Sequence, residues 1–247
     1  MANVVLKWKR PETIEFPKVW HTFKAKDLNT DELVEYRIQD LPTNRVEDVF
    51  EHMMANYIQD EPISQVLEGS KDPNHIEDYK LCWSKMAEQK VPLVCFKEGS
   101  DEIVGANMLF VLKKDDEFMQ AACGLFKSQV TKDLFDLMMI LYEDFDTFKY
   151  YGVDEYLTSF GLSVSRKYRG RSIGDHFLAT RKKLCKQYNL KLTHTFFTSD
   201  YSNQNADKVG FETNVALKYE DVIKAHPRFS HIANIKSKGM TLKTLMC

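Results

Sequence analysis

The sequence predicts a single α/β domain built around a mixed sheet, and three observations carry that reading. Strand-like alternation and helix-like periodicity follow one another in the order β-α-α-β-β-α-β-α-β-α-β, with one further strand near the end. The 247 residues contain no internal repeat and no low-complexity linker, and this length can bury a substantial core. Hydrophobic residues at 43% against charged residues at 28% are the ordinary balance of a folded domain.

Residues 1–30 scatter Trp8, Phe16, Trp20 and Phe23 among charges and read as an arm or edge strand packed on a domain spanning 31–247. Leu33–Leu41 alternates loosely and suits a strand stopped by Pro42. Val46, Val49, Phe50, Met53, Met54 and Tyr57 recur at helical spacing, with Thr43 or Asn44 as the expected cap. Pro62 then restricts Glu61 to extended backbone and ends that helix. A loop over Gly69–Pro73 leads to a second helix over 76–89. Pro92–Glu98 and Glu102–Leu112 are β-rich runs joined as a hairpin through Gly99-Ser100-Asp101, and Asp115–Glu117 is a charged turn.

One long helix is expected over Val130–Phe148, with Leu134, Leu137, Met138, Leu141, Phe145 and Phe148 on one side. In the strand over Val153–Ser165, Phe160, Leu162 and Val164 alternate with Ser159, Gly161, Ser163 and Ser165. The next helix covers 172–188 with Ile173, Phe177, Leu184 and Tyr188 inward. Arg181, Lys182, Lys183 and Lys186 lie toward its C-terminal half, where cations suit the dipole. Lys191–Ser199 reads as a strand, Ser202–Val209 as a short helix ended by Gly210, and Phe211–Tyr219 and Met240–Leu245 as the last strands.

Bulk properties exclude several classes. A net charge of −2 gives no global attraction to nucleic acid or membrane, so an anion site must be a local cluster. Five scattered cysteines without a CxxC pair point to reduced thiols and a cytoplasmic protein rather than a disulfide framework or zinc site. No apolar run approaches the ~20 residues of a membrane span. The seven histidines show no HExxH spacing, so no metal is expected, and His176 and His194 read as structural.

The local cluster is Leu162–Gly174, where an alternating strand meets a basic, Gly-containing turn and then a helix. Free amides and the positive dipole end at a helix start attract anions. Arg166, Lys167, Arg169 and Arg171 concentrate charge at that spot. No Walker A sequence occurs, the GxxxG spacing of Gly170 and Gly174 is not the Rossmann fingerprint, and kinase motifs are absent. The residues alone leave two readings open, a phosphate cradle and a solvated basic turn.

Arg169-Gly170-Arg171-Ser172-Ile173-Gly174 resembles the acetyl-CoA loop of the GNAT acetyltransferases, Arg/Gln-x-x-Gly-x-Gly/Ala, with Ser172 at the place of the usual central glycine. Thr198–Phe211 resembles that superfamily's later strand–helix–Gly-Phe block. Asp60-Glu61-Pro62-Ile63 is similar to the Asp-Glu-Pro-Leu segment of the insect arylalkylamine N-acetyltransferases. Together these cover most of residues 33–219.

The resemblance implies a mixed, mostly antiparallel central sheet flanked by helices, with acetyl-CoA as cosubstrate. It implies direct acetyl transfer to the primary amine of a small arylalkylamine. Leu162, Ser163, Val164 and Arg169 through Gly174 would bind the cofactor, with Arg171 or Lys167 near its phosphates. Glu61 would be the general base, and Ser202, or else Tyr201, would protonate the leaving thiolate with Thr198 in support. Tyr57, Trp83, Tyr150, Tyr151 and Phe160 are candidates for an aromatic amine pocket.

A monomer acting on a small amine, without nucleic-acid or membrane partners, is the resulting expectation. Another amine stays open as substrate. The acidic runs Asp115-Asp116-Glu117 and Glu143-Asp144 with Asp146 would suit a polyamine. A non-catalytic CoA- or nucleic-acid-binding module is the remaining alternative.

Overall fold

The computed structural model describes residues 5–143 and 145–247. Eight strands form one sheet: β1 (Val19–Lys26), β2 (Leu33–Asp40), β3 (Leu93–Lys97), β4 (Ile103–Lys113), β5 (Glu155–Val164), β6 (Leu192–Phe197), β7 (Glu212–Lys218) and β8 (Gly239–Met246). Their spatial order is β1-β2-β3-β4-β5-β6-β8-β7. Every neighbouring pair is antiparallel except β5–β6, which is parallel. The helices are α1 (Val46–Asp60), α2 (Pro62–Val66), α3 (Pro73–Glu88), α4 (Phe118–Cys123), α5 (Gln129–Glu143), α6 (Thr147–Tyr151), α7 (Ile173–Tyr188), α8 (Asp200–Val209) and α9 (Tyr219–Ala225). This is the mixed, mostly antiparallel sheet flanked by helices that the sequence led us to expect.

The central strands are buried on both faces. Val94, Phe96, Ala106, Met108 and Phe110 pack with α1, α3 and α5 on one side, and Leu93, Cys95, Val104, Leu109 and Val111 pack with α7 on the other. That double burial is why β4 reads as a nearly continuous apolar run rather than an alternating one. Val19–Lys26 is the edge strand beside β2. Buried Asp40 draws the preceding residues in, accepting from Arg10 Nη2 at 2.8 Å, the Lys18 N–H at 2.9 Å and Trp20 Nε1 at 2.6 Å.

Three local features differ from expectation. No side chain caps α1, because Thr43–Arg45 forms a short 3-10 turn and Arg45 takes the cap position. The long helix over 130–148 is divided: α5 ends at Glu143, and α6 starts anew where the Asp146 carboxylate accepts from the Lys149 N–H. Asp144 lies outside the described residues. Helices α4 and α9 had no signal in the sequence, being six and seven residues long and so too short to display a period.

The sheet opens between β5 and β6. These two strands share one register pair, Leu157 with Thr193, and then diverge, while β5 stays paired with β4 as far as Val164. Beyond the junction the Thr195 side chain replaces the missing ladder, its Oγ1 accepting from the Ser159 N–H at 3.0 Å. The β4–β5 register shifts between Asn107 and Leu109, and Gly161 in the bulge takes φ +114. Asn107 Nδ2 fixes the bulge by donating to Gly161 O at 2.9 Å and Ser159 Oγ at 2.6 Å.

A Cβ at Gly161 would lie 2.8 Å from Met53 Cε and 3.2 Å from the Tyr57 ring, in a backbone region that L-residues rarely adopt. Gly161→Ala should therefore lower stability by about 2–4 kcal/mol in urea unfolding, combining backbone strain with overpacking. A change below about 0.5 kcal/mol would show that α1 yields freely to the bulge.

Candidate active site

The divergence of β5 and β6 leaves a cleft of about 650 Å³ that runs across the sheet. At one end lies the basic turn. Gly170 is left-handed at φ +78, and Ser172, the residue just before α7, is left-handed at φ +55 with no capping hydrogen bond from its side chain. Among the described residues the N–H groups of Gly170, Arg171, Ser172, Ile173 and Gly174 find no protein acceptor. Five successive free amides at the start of a sixteen-residue helix form a ready site for a diphosphate. The residues present fit the pyrophosphate of a CoA thioester on this ground.

The arginines of the turn hold the loop together. Arg171 donates to four carbonyl oxygens, those of Lys26 at 2.7 Å, Asp27 at 2.9 Å, Arg169 at 3.0 Å and Lys167 at 3.2 Å. Lys167 pairs with Glu102 at 2.6 Å. Arg166 Nη2 reaches Asp60 at 2.8 Å, and Arg169 takes the other Asp60 oxygen. Burial pushes the Asp60 carboxyl up, but the Arg169 and Arg166 guanidiniums outweigh it and hold the group below its usual range. Asp60 thereby ties the end of α1 to the anion turn.

Glu61, the next residue, caps α2. Its Oε2 accepts from the Ser64 N–H at 2.7 Å and from Ser64 Oγ at 2.8 Å, whereas Oε1 has no partner. Only 4% of Glu61 is exposed, although it lines the cleft. Burial pushes its carboxyl above the ordinary range, opposed chiefly by the Ser64 N–H and hydroxyl. The nearby Ile63 amide and Thr198 hydroxyl oppose it more weakly, and neither makes a hydrogen bond to it. Such a raised carboxylate is suited to accept a proton near neutral pH.

The opposite wall comes from β6 and α8. Thr198 and Ser202 both line the cleft. The Ser202 hydroxyl sits in a capping box, where its Oγ accepts from the Ser199 N–H at 3.3 Å and donates to Ser199 O at 3.0 Å. Tyr201 is 65% exposed at the rim. Leu162, Ser163, Val164, Arg169, Gly170, Arg171, Ser172, Ile173 and Gly174 all line the same cleft as Glu61, Thr198 and Ser202.

The aromatic candidates divide. Tyr57 and Phe160 line the cleft together with Leu134, Met138 and Phe196. Trp83 lies behind the wall, fully buried, with Nε1 donating to Phe160 O at 3.0 Å. Tyr150 is 68% exposed and Tyr151 bonds Asn214, so neither belongs to the pocket. Of the acidic runs, Asp115 pairs with Lys7 and Asp146 caps α6, and none of the described members lines the cleft.

Arg181 is the residue whose place the sequence concealed. In the sequence it stands with Lys182, Lys183 and Lys186 as a cation suited to the C-terminal half of its helix, yet it is 1% exposed and lines the cleft. Its Nε and Nη2 donate to Asn107 Oδ1 at 3.3 and 3.1 Å, and burial lowers the guanidinium to about 9. Its position three residues after inward Leu178 was the available signal. His194 is buried and bonded to Thr244, and His176 is bonded to His21, in keeping with structural roles. Among the described residues no metal-binding group of His, Cys, Asp and Glu occurs, and no helix is long and apolar enough to cross a membrane.

A largely antiparallel sheet opened at one parallel pair, with a free-amide turn at the mouth of the opening, defines an acetyltransferase fold of the GNAT superfamily. Comparison with family models and with curated proteins gave no match. Among solved structures, the chain superposes on a protein named arylalkylamine N-acetyltransferase 7 from the yellow fever mosquito Aedes aegypti. The TM-score is 0.90 and the identity 36%, over 97% of this chain and 99% of that one. The chain therefore belongs to the insect arylalkylamine N-acetyltransferase family. Arylalkylamine N-acetyltransferase 2 of Aedes aegypti shares the fold at TM-score 0.74 and 17% identity, over 85% of this chain and 98% of that one. A polyamine N-acetyltransferase of Drosophila melanogaster does so at 0.69 and 17%, over 86% of this chain and all of that one.

Ser172 places a side chain where the turn demands left-handed backbone. Ser172→Gly should raise stability by about 1 kcal/mol in urea unfolding. A loss of stability would show that the hydroxyl contributes more than the strain costs.

Proposed function

We propose that this protein transfers an acetyl group from acetyl-CoA to the primary amine of a small arylalkylamine, by direct attack while both substrates are bound. The observation that carries this reading is a buried, half-satisfied carboxylate, Glu61, in the same cleft as the free-amide turn. Acetyl-CoA supplies the activated acyl group. Leu162, Ser163 and Val164 would run beside its pantetheine arm, and the free amides of Gly170 through Gly174, on the turn that Arg169 opens, would hold its diphosphate. Arg166, Arg169 and Arg171 serve this site by shaping the turn, since their guanidiniums are engaged within it.

An alkyl ammonium has a pKa of about 10 and cannot attack until it loses a proton. Glu61 Oε1, with no hydrogen-bond partner among the described residues, is the acceptor for that proton. An N–H on the diverging edge at Leu162–Val164 stabilises charge that grows on the thioester oxygen. The leaving thiolate, with a pKa near 8.5, needs little help. Ser202 supplies its proton, with Thr198 in support.

The lining favours an arylalkylamine over a polyamine. Tyr57, Phe160, Leu134, Met138 and Phe196 make the walls apolar, and among the described residues the only carboxylates lining the cleft are Glu61 and Asp60. Asp60 is already matched by two arginines, which leaves one negative group for one ammonium.

Calorimetry with acetyl-CoA should show saturable binding, and its absence would end this reading. A thiol-release assay across tryptamine, dopamine, histamine and spermidine should favour the aromatic monoamines. Spermidine as the best substrate would overturn the substrate class. Glu61→Gln keeps an oxygen to cap α2 and should lower kcat by about 10²–10⁴ while acetyl-CoA still binds. Because the base works ionised and its pKa is raised, kcat should climb with pH through a midpoint above the usual carboxylate value of about 4.3. A profile flat from pH 6 to 9 in Glu61→Ala at wild-type rate would remove Glu61 from the role.

A further inference from the structure

Behind Glu61 lies a line of buried polar groups that the proposed transfer does not itself use. Ser64 Oγ bonds Glu61 Oε2 at 2.8 Å and also lies 3.0 Å from His75 Nε2, and His75 Nδ1 lies 2.8 Å from Thr131 Oγ1. These residues come from α2, α3 and α5, and Ser64, His75 and Thr131 are all at most 1% exposed. An unneeded polar chain so deep in the protein would carry a desolvation cost with no return.

The donors in this chain can be assigned. An ionised carboxylate only accepts, so Ser64 commits its one hydroxyl hydrogen to Oε2. The Ser64 oxygen then accepts from His75, which places the ring hydrogen on Nε2. Burial lowers His75 to about 4, which keeps the ring neutral, and bare Nδ1 accepts from the Thr131 hydroxyl. Every hydrogen bond points toward Glu61.

The ring is also held mechanically. A Cβ at Gly69 would lie 2.7 Å from His75 Cδ2, so only a glycine lets the backbone close over it. Tyr79 meets its other side edge-on, with centroids 4.8 Å apart and planes at 81°.

We propose that Thr131, His75 and Ser64 form a positioning relay that pins Glu61 through Oε2 and reserves Oε1 for the proton of the amine. This inference rests on the reading of Glu61 as the base. Aligned donors strengthen one another in a low-dielectric interior, and here they favour the ionised carboxylate against the burial that opposes it. The other groups facing Glu61 are Tyr57 on α1, Tyr79 on α3 and Tyr219 on α9, all pushed up by burial and by the Glu61 charge and hence neutral. Asp72 and Asp78 act on His75 but are engaged elsewhere, Asp72 with Ser128 Oγ at 2.6 Å and Asp78 with the Ser128 N–H at 2.9 Å. Adjacent Asp60 is neutralised by Arg166 and Arg169.

The test reads Glu61 directly. Difference infrared titration of the ligand-free protein, with Glu61→Gln as the subtraction reference, gives the carboxyl midpoint. Ser64→Ala should raise that midpoint by about 1 pH unit, the worth of one hydrogen bond to a charged group. His75→Leu should raise it by a smaller amount, since its bond reaches Glu61 only through Ser64. His75→Gln, whose amide can donate to Ser64, should recover part of the shift. Ser64→Ala deletes one atom and carries the test should a His75 variant lose its near-ultraviolet circular dichroism. Unmoved midpoints would overturn the relay.

The kcat–pH profile, on the fastest amine among tryptamine, dopamine, histamine and spermidine, should shift in step with the infrared midpoint. If the midpoint moves and the kinetics do not follow, the relay tunes a carboxylate that is not the base, and the catalytic reading of Glu61 falls. No thiol release from any of the four amines would overturn the acetyl-transfer reading while the infrared arm still decides the relay.

Discussion

Everything in this molecule depends on two parallel strands that cannot stay together. After the Leu157–Thr193 pair, β5 follows its antiparallel partner β4 and β6 follows β8, and the gap between them widens. Sheet edges inside a protein are costly, because each unpaired backbone group loses its water without gaining a partner. Here the loss is handled locally. Thr195 lends a hydroxyl to Ser159, Asn107 holds the bulge at Gly161, and Arg181 fills the apex by bonding Asn107. The edge left over from Leu162 to Val164 faces the open cleft.

The second organising tension is between burial and charge at neighbouring carboxylates. Asp60 and Glu61 stand next to each other in sequence and have opposite fates. Asp60 turns toward two arginines and is held ionised, so it works as a clamp joining α1 to the anion turn. Glu61 turns inward as the cap of a new helix and is pushed toward its neutral form. Pro62 makes the separation possible, because it forbids Glu61 from continuing α1 and starts α2 with no need for its own N–H. A structural ion pair and a buried, half-satisfied carboxylate are thus built from adjacent residues by one proline.

Much of this was legible in the chain. The strand–turn–helix at Leu162–Gly174, the Asp60-Glu61-Pro62 break and the short helix read over Ser202–Val209, which the fold begins at Asp200, are local in sequence, and their chemistry survives being read one residue at a time. The order of the principal strands and helices followed from periodicity, because α1, α3 and α7 are long enough to show a 3.6-residue stripe. Helices α4, α6 and α9 span two turns or fewer, and a pattern that short carries no period. The aromatic residues were legible only as a set: Tyr57 and Phe160 face the cleft while Tyr150 and Tyr151 do not, and composition cannot separate them.

By itself the sequence determined where the chain turns, which helix start can hold an anion, and which carboxylate ends up beside a proline. Those are consequences of local backbone chemistry. Tertiary structure alone decided that Arg181 is buried rather than solvated, that Asp60 reaches Arg166 across 106 residues, and that Ser64, His75 and Thr131 line up behind Glu61. Dielectric environment and long-range pairing belong to the packed molecule, and they turn one acidic side chain into an ionised clamp and its neighbour into a buried group with a raised affinity for a proton.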